Sequence, residues 1–424
     1  MFRRHPAGLR VLFFTEMWER FGFYILMAIF VLYMDQEFGW SDERKADFYG
    51  IFLGAVYFLP ILGGWLGDRV LGHRQTIRLG AGLMVAGYLA LAVSSLESLW
   101  AFYAGLVLVS TGTGIFKSNM SVTVGSLYET TPTLKDSGFN IYYMGVNLGA
   151  AVAPIAATVI HAVYDSYRVS FAAAAVGMVI AIITYEVGKK RLPETRQTDT
   201  AAPGVTGAPG EANAREDRER ILTLGILFLI VIFFWIAFYQ NGFALTLFAQ
   251  RATITSDILK PETYQFFNPF FILLLTPLMV GYFTRRAARG TEPASAVKIF
   301  LGMFISGFSM LVMVFASLSG GDLDQNIMSP LWLVGSYFVV TLAEILVSPM
   351  GQSYVTKVAP PRMRGLMIGC WFGATAVGSY GSGLLGRFYN DLPHHQYYLV
   401  IAGLLFLSSL MILASLKKLN KFAP

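Results

Sequence analysis

Apolar runs long enough to cross a bilayer recur about twelve times along the 424 residues, and no other feature limits the fold so severely. A helix rises 1.5 Å per residue, so roughly 20 apolar residues match a hydrocarbon layer about 30 Å thick. The first six runs fall near residues 9–35, 47–68, 76–95, 99–127, 138–163 and 168–189. The next six fall near 220–245, 264–284, 295–318, 329–356, 365–388 and 396–416. Inside lipid no water satisfies the peptide groups, so each run must close its own hydrogen bonds as a helix. The chain therefore reads as an all-α membrane protein. Its 14% charged residues fall well below the roughly one quarter of a soluble domain. The 42 glycines suit close helix packing in lipid. The net charge of +6 does not indicate a nucleic-acid partner, because the basic residues lie in short loops. The single cysteine, Cys370, forms no disulfide within the chain. The first apolar run is too long and too charged for a cleavable signal peptide.

The loops fix a topology. With a cytoplasmic N-terminus, the inner segments hold Arg3, Arg4 and Arg10, then Arg69, Arg74 and Arg78, then Lys189, Lys190 and Arg191. Further inner segments hold Arg285, Arg286 and Arg289, then Lys357, Arg362 and Arg364, and Lys417, Lys418 and Lys421. The outer segments hold Glu97, Asp165, Asp322, Asp324 and Asp391, with few cations. This is the positive-inside pattern, and it requires an even number of spans with both termini inside. Residues 128–137 are only weakly basic, and the 35–47 loop is mixed. A Pro-, Gly-, Ala- and Thr-rich segment follows the sixth run and reads as a flexible linker. The expected division is a first six-helix bundle over 1–190, a cytoplasmic linker over 191–219 and a second six-helix bundle over 220–424. That is the plan of transporters whose halves rock about a midplane site.

Few charges interrupt the spans, and those few are informative. Glu16, Glu19 and Arg20 lie in the first run at i,i+3 and i,i+4 spacing, so they share one helical face, which Tyr24 extends. A charge near the bilayer centre costs about 2.5–3.5 kcal/mol on the translocon scale. Such a face either lines a wet cavity that handles protons or forms a neutralised structural knot. Lys117 sits in mid-span in Gly112-Thr113-Gly114-Ile115-Phe116-Lys117. This is no phosphate loop, which needs Gly directly before Lys at a strand-to-helix turn. Lys117 either meets a carboxylate or reaches toward an interface. Glu344 is the one carboxylate deep in the later spans, either a counter-charge for a substrate amine or a satisfied structural group. Pro349 follows it and is expected to kink that helix. Asn147 and Asn268 suit either a peptide-like ligand or helix–helix adhesion. Tyr24, Tyr57, Trp235 and Trp371 either wall an apolar cavity with polar tips or pack the bundles. No histidine falls within these clusters, so neither a histidine relay nor a zinc site is expected, and no cofactor is implied.

These residues carry a resemblance. Gly64-Trp65-Leu66-Gly67-Asp68-Arg69-Val70-Leu71-Gly72-His73-Arg74 resembles the loop signature of the major facilitator superfamily. Glu16-Met17-Trp18-Glu19-Arg20-Phe21-Gly22-Phe23-Tyr24 resembles the E-x-x-E-R-F-x-x-Y motif of the proton-dependent oligopeptide transporter family. Phe139 to Gly149 resembles that family's second signature, and the Lys117, Trp235 and Glu344 regions follow in matching order. The resemblance implies a major facilitator fold of twelve spans and symport of di- and tripeptides with protons across a cell inner membrane. It implies that Arg20 and Lys117 hold the peptide carboxylate and Glu344 its amine. Asn147 and Asn268 would bond the peptide backbone. Tyr24, Tyr57, Trp235 and Trp371 would line the pocket, and Glu16 and Glu19, with Arg20 and Lys117, would couple protons.

Three departures from the family pattern are visible. The two helices that bacterial members often insert between spans six and seven are replaced by the linker alone. Ser118 follows Lys117 where Pro is frequent. Tyr239 precedes Gln240 where an acidic residue is frequent, so either the expected proton chemistry is concentrated on the first span or the coupling differs. Two rival functions remain: a major facilitator symporter for nitrate, an amino acid or a drug-like solute, and a peptide receptor that does not translocate. No nucleophile–base pair or metal motif suggests an enzyme.

Overall fold

The computed structural model describes residues 2–131, 134–193, 211–360 and 363–422. Thirteen α-helices occur among them. The first six are α1 (Gly8–Phe38), α2 (Asp42–Leu66), α3 (His73–Ala92), α4 (Leu99–Ser126), α5 (Lys135–Tyr164) and α6 (Tyr167–Gly188). After them come α7 (Glu211–Phe238), α8 (Ala244–Arg251), α9 (Phe267–Ala288), α10 (Ser295–Ser319), α11 (Pro330–Val358), α12 (Arg364–Gly386) and α13 (His394–Leu419). A 3-10 turn, Tyr239–Gly242, joins α7 to α8, so one span is made of two helices.

Among the described residues, eleven segments are long and apolar enough to cross a membrane. The expected twelfth, α12, is a helix of 23 residues. Its apolar content is diluted by seven glycines, from Gly365 to Gly386. The linker expectation changes at one end. Residues 194–210 lie outside the described part, but α7 begins at Glu211, so residues 211–219 are helical rather than linker. The segment is rich in Glu, Arg and Ala, strong helix formers, and Arg220 pairs with Glu216 one turn back at 2.7 Å. Pro349 lies inside an uninterrupted α11.

Helix ends follow local chemistry. Gly39 ends α1 in the left-handed region at φ 58°, its N–H donating to Asp35 O. Ser41 caps α2, with Asp42 and Glu43 in the first turn where the helix dipole favours anions. Ser329 and Pro330 open α11 in the same way.

Cα proximity groups the chain into two units, Met1–Asp199 with Ser256–Phe270, and Thr200–Thr255 with Phe271–Pro424. In the first unit α1 packs on α5 and α6, and α3 packs on α4 and α6. Glycine permits these approaches. A Cβ built on Gly149 of α5 would lie 2.1 Å from Met17 O of α1. The 3-10 turn Pro261–Phe266 also packs on α5, so the connection between α8 and α9 is held by the first unit. In the second unit α10 packs on α11 and α13, while α7 packs on α12 and α13. Gln240 anchors the α7–α8 break there. It donates to Ser382 O at 2.8 Å and accepts from Tyr397 Oη at 2.9 Å.

Candidate functional site

The first unit concentrates its charge on one face of α1. Glu16, Glu19 and Arg20 are 2%, 0% and 5% exposed. Arg20 forks onto both oxygens of Glu19, with Nε on Oε2 and Nη2 on Oε1 at 2.5 Å. Its Nε also lies 3.6 Å from Glu16 Oε1. The guanidinium rests over the Phe23 ring at 4.8 Å, a cation–π contact from the next turn. A planar fork on a carboxylate is a geometry that lysine cannot reproduce. Burial makes it consequential, because a buried ion left unpaired costs several kcal/mol.

The neighbouring helices complete the cluster. Lys117 of α4, half-buried, lies within electrostatic reach of Arg20, Glu16 and Glu19. Its Nζ stands 5.4 Å from the Tyr57 ring of α2. Tyr142 of α5 faces Glu16. The cluster thus gathers two carboxylates and two cations, an arrangement near charge balance that one proton or one anionic ligand would upset. Glu16 Oε2 makes no hydrogen bond among the described residues. Tyr24 of α1 and Tyr57 of α2 are half-buried. Asn147 is 4% exposed. Its Nδ2 donates to Tyr143 O of its own helix at 2.9 Å. Asn268, near the start of α9, is half-buried and groups with the first unit.

The remaining candidates lie in the second unit. Glu344 is half-buried on α11. Trp235 of α7 stacks on Tyr239 with ring centres 5.6 Å apart. Its indole N–H has no hydrogen-bond partner among the described residues. Trp371 of α12 is 1% exposed. It fills the space beside Gly351 of α11, where a Cβ would lie 2.0 Å from the ring.

Sequence reasoning left out a second polar cluster in the first unit. Glu262, 0% exposed, accepts from His161 Nδ1 at 3.1 Å and from Tyr167 Oη at 3.2 Å. Thr158 Oγ1 and Thr263 Oγ1 meet at 2.7 Å beside it. Only the helical register of His161 and Asp165 (i,i+4) was visible in sequence. Their distance from Glu262 along the chain hid the rest. Each histidine proves to be engaged: His73 with Asn119 and Asp68, His394 with Asp324, His395 with Asp322, and His5 with Tyr128. Burial pushes the Tyr128 hydroxyl up from its ordinary range, so it stays protonated beside His5.

An all-helical chain with this many membrane-length segments, and a paired ion cluster buried on the first of them, has the make-up of a multi-pass membrane transporter. Known proteins agree with that class. The profile of the POT family matches residues 74–208 and 210–400. A peptide transporter of Yersinia enterocolitica is 30% identical, covering 90% of this chain and 88% of its own. A di-/tripeptide transporter of Lactococcus lactis is 32% identical, covering 87% and 86%. A crystal structure of a POT peptide transporter in complex with sulfate is 28% identical, with a TM-score of 0.88 over 100% of this chain and 97% of that one. The chain belongs to the POT family, and its all-α fold is of the major facilitator type.

Proposed function

We propose that this chain is a proton-coupled symporter that imports di- and tripeptides by alternating access. The observation that carries the reading is the buried Glu16–Glu19–Arg20 cluster with Lys117 beside it. Arg20 is fully engaged by carboxylates, so a substrate carboxylate must compete with Glu19 for it. Protonating Glu19 removes that competitor and frees the guanidinium. Peptide binding and proton binding then favour each other, which is the linkage a symporter needs. The Yersinia and Lactococcus relatives, which bear peptide-transporter names, support the substrate class.

In this reading Arg20 and Lys117 hold the peptide carboxylate and Glu344 holds its amine. Asn147 and Asn268 bond the peptide backbone, and Tyr24, Tyr57, Trp235 and Trp371 line the pocket. Glu16 and Glu19, with Arg20 and Lys117, couple the proton. Only a ligand that binds two states unequally can shift their balance. The working division is a bundle to residue 190, a connecting segment whose last part, residues 211–219, is the helical start of α7, and a bundle from 220. The protein sits in the cell inner membrane with both termini cytoplasmic, a topology supported by the basic inner loops. Its partners are short peptides, protons and the lipid bilayer.

The test is reconstitution into liposomes with labelled dialanine, with and without an inward proton gradient. Gradient-dependent accumulation is expected. Uptake indifferent to the gradient would remove the coupling, and no uptake of any dipeptide would remove the substrate class.

A further inference from the structure

One hydroxyl beside the charge cluster has no hydrogen bond. Tyr88 of α3 is 0% exposed, and its Oη has no partner among the described residues. An unmade buried hydroxyl lowers stability, and phenylalanine would fill the same space without that cost. The phenol end is aimed at the cluster. Gly22 follows Glu19 by three residues, on the same face of α1. A Cβ built on Gly22 would lie 3.2 Å from Tyr88 Cε2 and 3.5 Å from Cζ, the atom that bears the hydroxyl. Glycine therefore leaves the room that the phenol tip occupies. Glu19 and Arg20 both act on the hydroxyl electrostatically. Each Glu19 oxygen already accepts from Arg20 in this structure, and the Tyr88 hydroxyl makes no hydrogen bond to either of them.

We propose that Tyr88 is a positioning residue of proton coupling, whose hydroxyl takes over the Glu19 carboxylate while Arg20 is engaged by the peptide. This rests on the transport reading above. When Arg20 turns away, Glu19 keeps three other neighbours: Glu16 of like charge, Lys117 from α4 and the Tyr142 phenol from α5. Glu19 carries the transported proton in that state. On discharge the proton passes to water on the cytoplasmic side, and the bare carboxylate must persist until Arg20 returns. Tyr88 then donates its O–H to that carboxylate and keeps its own proton. Hydrogen bonds to ionised groups are the stronger kind, so one donor suffices to favour release.

The experiment compares wild type with Tyr88→Phe, full chain in liposomes, using labelled dialanine. Exchange between peptide pools at equal pH needs no discharge and should stay within about twofold of wild type. Gradient-driven uptake should fall about tenfold. The pH profile of driven uptake should differ from wild type, because the hydroxyl acts on the carboxylate that carries the proton. Thermal melting should not fall, since the hydroxyl makes no bond in this state. Wild-type driven uptake and pH profile in Tyr88→Phe would overturn the proposal. Equal loss of exchange and driven uptake would also overturn it, showing a structural role. Wild type lacking both activities would overturn the transport reading itself, and this proposal with it.

Discussion

Replacing Glu19 with Gln removes one negative charge from the cluster while keeping shape and volume. In the wild type Arg20 is 5% exposed and forks onto both oxygens of a 0% exposed carboxylate. The amide keeps one acceptor and turns a donor toward the other guanidinium N–H. Arg20 then retains one neutral bond and the more distant Glu16, at 3.6 Å. Breaking a buried pair from one side costs about 3–5 kcal/mol, and the retained bond returns about 1 kcal/mol. A net of roughly 2–4 kcal/mol is therefore withdrawn from the resting state and becomes available to an incoming carboxylate. At about 1.4 kcal/mol per tenfold, dialanine should bind at least tenfold more tightly at neutral pH, if Arg20 receives it. The sign with pH also follows. In wild type a proton helps the peptide displace Glu19, so affinity falls as pH rises. In Glu19→Gln there is no such competitor, and affinity should be nearly flat with pH. Calorimetry on purified protein from acid to alkaline pH measures both quantities. Liposome assays should show exchange retained and uphill uptake lost. Affinity in Glu19→Gln that is weaker than wild type, or that keeps the wild-type pH slope, would refute the competition between Glu19 and substrate. Normal gradient-driven accumulation would refute the role of Glu19 in coupling.

Glu344→Gln should weaken binding of free-amine dipeptides about tenfold more than that of N-acetylated ones, read by competition against labelled dialanine. Glu262→Ala leaves His161 and Tyr167 without their shared acceptor, and buried groups so orphaned cost about 1–3 kcal/mol each. Amide hydrogen exchange over residues 256–270 should accelerate accordingly, while exchange in α10 stays unchanged. Gly149→Ala places a methyl 2.1 Å from Met17 O, so α5 must retreat by about 1 Å at a cost of about 1–3 kcal/mol. Its melting temperature should fall, and driven uptake should fall further than exchange, because the shift occurs beside Glu16 and Glu19.

What the sequence made legible depended on distance along the chain. Glu16, Glu19 and Arg20 sit within one turn and a half, so helical periodicity alone placed them on one face, leaving open whether that face lines a cavity or neutralises itself. The spans were legible for the same reason, since bilayer thickness sets their length whatever their neighbours. Lys117, about a hundred residues further on, joins the cluster by packing that no local pattern encodes, and only its cost in lipid marked it out. Glu262 lacked even that mark. It falls at the edge of a run, among Lys260, Pro261 and Thr263, where a carboxylate looks solvated. His161 was passed over because it lies at a span end, away from other charge in sequence. Their meeting, more than a hundred residues apart in the chain, is what buries Glu262 completely. Tyr88 is a sharper case still, since one buried tyrosine among 21 carries no signal. It becomes informative only when the structure shows its hydroxyl unmade and Gly22 clearing space for it on the Glu19 face. The absence of an acid at Tyr239 points the same way. The ring there is committed to Trp235, and Gln240 is bonded to α12 and α13, so the α7–α8 break presents an aromatic stack at that position. If the family's coupling chemistry is retained in this chain, α1 and the side chains packed around it must supply it. Tyr88 is a proton donor there whose hydroxyl this structure leaves unused.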